Sequence, residues 1–173
     1  MNKPIINLDE LQYDPWDARF PPDDRPSERY GARRAAVGQR IGARKLGYNV
    51  TILLPGKRAF PRHNHRVNEE LFVILEGVGE LVVGDARWPV RKGDIIACPP
   101  GGPDTAHQLV NTSPEQELEV LSVSTLETPD IVQYPDSGKL GYYGRFAGSD
   151  GKPELIVGLC RPDDGVRYWD GEA

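Results

Sequence analysis

Residues 56–77 read GKRAFPRHNHRVNEELFVILEG, and this stretch decides how the whole chain is read. The protein has three histidines; two of them, His63 and His65, stand here, with a carboxylate following at Glu70. Alternate residues of a strand project from the same face, so His63 and His65 present their imidazoles side by side, as a chelate does. Residues 66–69 are expected to turn the chain, after which ELFVILEG reads as a buried strand ended by Gly77. On a regular strand Glu70, Phe72 and Ile74 share one face and Leu71, Val73 and Leu75 the other. A carboxylate thereby enters a pocket otherwise walled by apolar groups.

The third histidine, His107, lies in a second strand-like run, AHQLVN, with Leu109 and Asn111 on its face. Three imidazoles and one carboxylate make an N/O ligand set suited to one divalent transition metal (iron, manganese, nickel, copper or zinc) rather than to calcium or magnesium. A lone histidine is ordinarily a satisfied core or surface residue. Here the entire histidine complement falls into one pattern, and that favours a metal. Phe72, Ile74 and Leu109 are expected to line the pocket, with Gln108 or Asn111 orienting a substrate or a ligand imidazole.

Outward from the histidines, short strand-like runs succeed one another: GYNVTILLP, ELFVILEG, GELVVG, ARWPVR, DIIACPP, AHQLVNT and ELEVLSVS. Gly, Pro or Asp separates them, and GVGE and GDAR read as hairpin turns. The 19 glycines and 16 prolines suit many short strands joined by turns. With no long helical pattern between its members, the series predicts an all-β, closed or double-sheet structure. A chain of 173 residues fits one domain.

The spacings resemble two motifs of the cupin superfamily. The first, G-x5-H-x-H-x(3,4)-E-x6-G, is met by Gly56, His63, His65, Glu70 and Gly77, with six residues instead of five after Gly56. Its final gap selects Glu70 over the neighbouring Glu69. The second, G-x5-P-x-G-x2-H-x3-N, is met by Gly93, Pro99, Gly101, His107 and Asn111, with three extra residues before His107. The resemblance implies a double-stranded β-helix, a small jelly-roll barrel. It further implies a metal held inside by His63, His65, Glu70 and His107, a lengthened loop over the site, and pairing of barrels into a homodimer. The segments FPRHNHRVNEELFVILEG, ACPPGGPDTAHQLVNTS and YPDSGK also resemble a bacterial group of single-domain cupins.

Residues 47–130 are assigned to the barrel. Residues 1–46, rich in Pro and Asp at first, are expected to run as an arm over the barrel or a partner subunit, anchored by Trp16, Phe20 and Tyr30. Between positions 29 and 45 six basic residues occur without an acid, a run best read as a solvated face. Residues 131–173 are expected to extend the sheets through DIVQY, the turn PDSGK, GYYGRFAG and LIVGLC, with Trp169 packing on the barrel. A net charge of -5 argues against nucleic acid as a partner. No run is long and apolar enough for a membrane span, and MNKPIINLDE lacks a signal-peptide core, so a cytoplasmic protein is expected. Cys98 and Cys160 give no disulfide framework, and Cys98 reads as a core residue.

Four protein ligands on a metal that can take six leave positions for water, dioxygen or a substrate oxygen. With every imidazole assigned to the metal, none remains as general acid or base, which disfavours epimerases of the histidine-base type. Proton transfer would then fall to Glu69, Tyr48, Cys98 or a lysine. Three readings stand: a metal-dependent oxygenase, or else an isomerase or lyase, acting on a small molecule; a metal-dependent binding or sensing module without turnover; and a purely structural metal, which a barrel of this size should not need.

Overall fold

The structure, a computed structural model, describes residues 3–16, 27–149 and 151–172. Its strands are β1 (Asp14–Pro15), β2 (Ala32–Ala36), β3 (Leu46–Leu53), β4 (Asn64–His65), β5 (Glu70–Glu76), β6 (Val78–Val83) and β7 (Ala86–Arg91). They continue as β8 (Ile95–Cys98), β9 (His107–Val110), β10 (Leu118–Thr125), β11 (Asp130–Tyr134), β12 (Lys139–Ala147) and β13 (Pro153–Cys160). One short helix, α1 (Gly38–Ile41), precedes β3.

A six-stranded sheet, β1-β2-β3-β10-β5-β8, forms one layer, and two smaller sheets, β7-β6-β9 and β13-β12-β11-β4, form the other. The smaller sheets are joined where His63 and His107 exchange backbone hydrogen bonds of 3.1 and 2.8 Å. This is the antiparallel jelly roll expected from the succession of short strands. Leu53, Phe72, Ile74, Leu81, Ile96, Leu118 and Val120 fill the space between the layers. The alternation read in ELFVILE holds: Phe72 and Ile74 are buried while Leu71 is exposed.

Several connections differ from the sequence reading. GVGE is not a hairpin. Strand β5 pairs with β10 and β8, whereas β6 pairs with β7 and β9, so the chain crosses between layers at Gly77. Gly77 has φ of 89°, and a Cβ there would collide with the Glu117 carbonyl; the residue serves a close backbone passage. GDAR does turn a hairpin, with Val83 opposite Ala86.

The first 46 residues contain a strand that ARRAA, without alternation or branched side chains, did not announce. Strand β2 pairs with β3 from Ala32 opposite Leu53 to Ala36 opposite Asn49, and buries Ala35. Trp16 meets Phe60 edge-on at 4.9 Å between centroids, and Arg34 lies 5.4 Å over its ring. Phe20 lies outside the described residues. At the other end Trp169 does not pack on the barrel: it is 75% exposed and meets only the ring of Tyr168 among the described aromatic rings.

Candidate metal centre

Each histidine reaches the centre from a different piece of backbone. His63 stands at the bridge to β9, His65 ends β4, and His107 begins β9, while Glu70 opens β5 in the facing layer. Their Nε2 atoms converge on one oxygen, Glu70 Oε2, at 3.6 Å from His63, 3.6 Å from His65 and 2.9 Å from His107. One donor atom each from His63, Glu70 and His107 lies within 4.8 Å of the others. His65 stands at the edge of that set, drawn the other way by a buried carboxylate.

The far nitrogen of each ring is engaged. His63 Nδ1 donates to the Pro61 carbonyl at 2.9 Å, and His107 Nδ1 faces the Thr105 carbonyl at 3.4 Å. His65 Nδ1 donates to Asp130 Oδ2 at 2.6 Å. A carbonyl or carboxylate only accepts, so the short Nδ1 contacts of His63 and His65 place a ring proton on Nδ1, while His107, 2.9 Å from Glu70 through Nε2, donates to that carboxylate when no cation is bound. Three Nε2 atoms and an ionised carboxylate oxygen crowd one point, an arrangement that either ring protons or a single cation must neutralise. On that chemistry the donor set fits a divalent transition metal.

Sequence reasoning missed Asp130 and Asn68. Asp130 is 3% exposed. Its Oδ1 accepts from the backbone N–H groups of Val67 and Ile131, and its Oδ2 from His65 and, at 2.8 Å, from Asn68 Nδ2. Asn68 in turn donates to the Glu127 carbonyl and accepts from Thr125 and the Glu127 N–H. The pairing of β11 with β4, Val132 opposite His65, is what brings Asp130 to the ring.

Electrostatics follow from this geometry. Burial works to raise the Glu70 carboxyl, but hydrogen bonds to His107 and His63 and the nearby imidazoles outweigh it and hold the group well below the usual carboxylate range. Burial likewise lowers His63, and contact with Glu70 more than reverses it, so this imidazole is raised. Asp130 is pushed up by burial and pulled further down by Asn68 and His65. Burial and the charge of Glu70 push the Cys98 thiol up to about 12, which keeps it protonated and inert.

The cluster opens into a cavity of about 580 Å³ lined by His63, Glu70, Phe72, Tyr134, Lys139 and Arg34 among others. A narrow extension of about 30 Å³ runs inward past Leu53, Phe72, His107, Leu109 and Val120. A second hollow of about 630 Å³, against α1 and β1, shares Trp16, Arg34, Asn49 and Ser124 with the first and holds no histidine.

Not every expected pocket residue is there. Ile74 is 1% exposed and belongs to the core. Asn111 is buried, donating to the carbonyls of Leu53, Leu54 and Gln116 and accepting from Ser113 N–H. Its amide is spent fixing the turn after β9, so it orients neither substrate nor imidazole. Gln108 borders the narrow extension and donates to the Phe60 carbonyl at 2.6 Å. Of the proposed proton carriers, Glu69 is exposed and Tyr48 lines the histidine-free hollow. The longer loop before His107 folds as a one-turn helix over Pro103–Thr105, tied by Gly101 N–H to the His65 carbonyl at 2.8 Å. None of its residues borders the cavity.

Fold and cluster together define a small antiparallel barrel protein with a metal-competent imidazole and carboxylate site. The chain matches the family model described as the Cupin domain over residues 49–124. It is similar to a sugar phosphate isomerase of the cupin superfamily from Silicibacter pomeroyi, at 23% identity and a TM-score of 0.75, over 96% of this chain and 98% of that one. A protein from Acidithiobacillus ferrooxidans, provisionally named for the same activity, is 21% identical with a TM-score of 0.68, over 96% of each chain. At these identities the likeness is one of fold. An uncharacterised protein of Methanocaldococcus jannaschii is 39% identical over 49 residues, which span 28% of this chain and 37% of that protein.

Proposed function

We propose that His63, His65, Glu70 and His107 hold one divalent transition metal, and that the protein uses it to isomerise a small hydroxy-carbonyl compound of the aldose and ketose kind. The observation carrying this reading is the convergence of three imidazoles on Glu70, which together with His63 lines an open cavity of about 580 Å³. A bound metal supplies Lewis acidity, polarising a carbonyl or hydroxyl oxygen of the substrate. Glu70 and the imidazoles fix its position, and Asp130 keeps the His65 ring in the ligating tautomer.

Interconversion of adjacent carbonyl and hydroxyl groups moves protons and needs no outside oxidant. The phenol of Tyr134 is placed to hold a proton at Oη: its ring centroid is 6.0 Å from that of His63, and burial followed by the charge of Glu70 raises its pKa. The two fold relatives named as sugar phosphate isomerases support the choice of reaction. The test is deuterium incorporation next to the carbonyl of candidate aldoses, ketoses and their phosphates, in D2O with metal-loaded protein. Exchange that requires the bound metal supports the reading, and no exchange from any candidate contradicts it; slower turnover in Tyr134→Phe would mark the phenol as the proton donor to the substrate oxygen.

A second reading has its own observation. The apolar extension of about 30 Å³ beside His63 and His107 is the size of a chamber for one small molecule, which suits a metal-dependent oxygenase. Oxygen uptake without deuterium exchange would select it. Metal and ligand binding with neither signal would mark a binding or sensing module.

Pairing into a homodimer is part of the proposal, with a second copy of this chain as the occupant of the β12–β13 hairpin. Strand β13 forms an edge, and Leu155, Ile156, Val157 and Leu159 are exposed on both of its faces. Residues 155–160 carry no charge, so an identical strand is the complement that a two-fold contact supplies. The free thiols of Cys98 and Cys160 accord with a cytoplasmic location. Among the described residues no helix is long and apolar enough to cross a membrane.

A further inference from the structure

We propose that the hairpin turn YPDSGK, residues 134–139, is the specificity rim of the metal cavity and that Lys139 binds a terminal oxyanion, phosphate or carboxylate, at the end of the substrate away from the metal. The inference rests on the metal-centred reading above and adds the substrate class to it.

Tyr134 ends β11 and Lys139 begins β12, directly opposite each other in the pairing. Opposed residues of an antiparallel pair share a face, so the two side chains emerge together, and both line the cavity that holds His63 and Glu70. Steps of 6.0 Å from the His63 ring to the Tyr134 ring and 5.6 Å from that ring to Lys139 Nζ connect the metal cluster to the ammonium. A short carbon chain spans such a path.

Charge points the same way. The cavity lining contains Arg34, Arg62 and Lys139 against Glu70 and Asp136, a positive balance in a protein of net charge -5. Arg62 is already committed. Its Nε and Nη2 donate to Asp136 Oδ1 at 3.0 and 2.6 Å, and its Nη1 donates to the Gly84 carbonyl at 2.8 Å. That clamp fixes the turn to the barrel, and the Ser137 and Gly138 N–H bonds to the Tyr134 carbonyl close the turn itself. Lys139, by contrast, meets the Tyr134 ring and no carboxylate among the described residues. A cation held on a fixed turn, above a cavity and without an internal anion, is preorganised for an anion from outside.

The same hairpin also carries Asp130, the partner of His65, at the other end of β11. One hairpin thus carries both the carboxylate that orients His65 and the proposed anion contact.

Three probes separate the contacts: gluconate, with a chelating hydroxy acid at one end only; 6-phosphogluconate, which adds a phosphate at the other end; and glucarate, which adds a carboxylate there. Affinities are measured calorimetrically on metal-loaded protein, with metal content and circular dichroism checked for every variant. The wild type should bind one of the two doubly anionic probes at least about 10-fold more tightly than gluconate, the worth of a charge-assisted contact; which one does so distinguishes phosphate from carboxylate. In Lys139→Gln the ratio should fall to about unity, and Lys139→Arg should keep most of it. A wild-type ratio near unity, no measurable binding of either doubly anionic probe, or a ratio unchanged in Lys139→Gln with metal intact would overturn the proposal. Failure of the protein to take up metal, together with loss of gluconate binding, would instead overturn the metal reading beneath it.

Discussion

Strands β5 and β13 read alike and behave oppositely. ELFVILE and PELIVGLC are both short and mostly apolar, yet β5 buries Phe72 and Ile74 while β13 leaves Leu155, Val157 and Leu159 more than half exposed. The difference lies in their neighbours. Strand β5 is flanked by β10 and β8 and faces the opposing layer; β13 has only β12 beside it. Apolar content says that a strand must be covered, and only the pairing says by what. The first strand completes its burial within the chain and can spare one position, Glu70, for chemistry. The second is left uncovered by the described residues and is the strand on which the proposed pairing rests.

The sharpest way to break this contrast is at the one polar position of the inward face of β5. Glu70→Gln should reduce metal affinity by orders of magnitude, whereas Glu69→Gln, one residue away and exposed, should leave occupancy unchanged in elemental analysis. Next in size, Ile74→Ala removes a core side chain that is 1% exposed and should cost about 2–5 kcal/mol in denaturant unfolding.

Asp130→Asn should weaken metal binding by about 10- to 100-fold, read by competition with a chelating dye, because it releases the His65 ring. It also changes the acid limb of stability. Asp130 is held below its unfolded pKa, so its contribution is fully present above the usual carboxylate range and is lost as pH falls through the lower folded value. In metal-free protein the variant should lose that part of the acid destabilisation. Metal affinity should rise with pH through about 6–7, since imidazole must be neutral to bind.

The smallest effect on the subunit is expected on β13. Val157→Asp should shift sedimentation from dimer toward monomer while changing the unfolding of the separated subunit by less than about 0.5 kcal/mol, because Val157 is 65% exposed. A monomeric wild type would remove the reason offered for the exposed strand.

Much of the barrel was legible because half-buried antiparallel strands write alternation directly into sequence, as in β5 and in β10, where Leu118 and Val120 are buried. The cluster was legible because His63 and His65 are neighbours on one short segment and few other side chains could complete a ligand set. What was not legible depended on pairing between distant segments. Asp130 opens its strand as a turn residue would, and only the register of β11 against β4 brings it to His65. Ala32–Ala36 gains its strand from β3 and lacks propensity of its own. Gly77 looked like the end of a hairpin and is a crossing between sheets, since hairpin turns and close crossings both ask for glycine. Asn111, on the same strand face as His107, was expected at the pocket, but its amide faces three carbonyls at the turn beyond β9.

The most direct test is elemental analysis of untagged protein purified without chelator, beside the His107→Ala variant prepared identically. The account predicts about one equivalent of a first-row transition metal per chain in the wild type and less than about a tenth in a variant that keeps its β-sheet circular dichroism. A wild type that holds no such metal, and takes up none when iron, manganese, nickel, copper and zinc are each supplied, would contradict it.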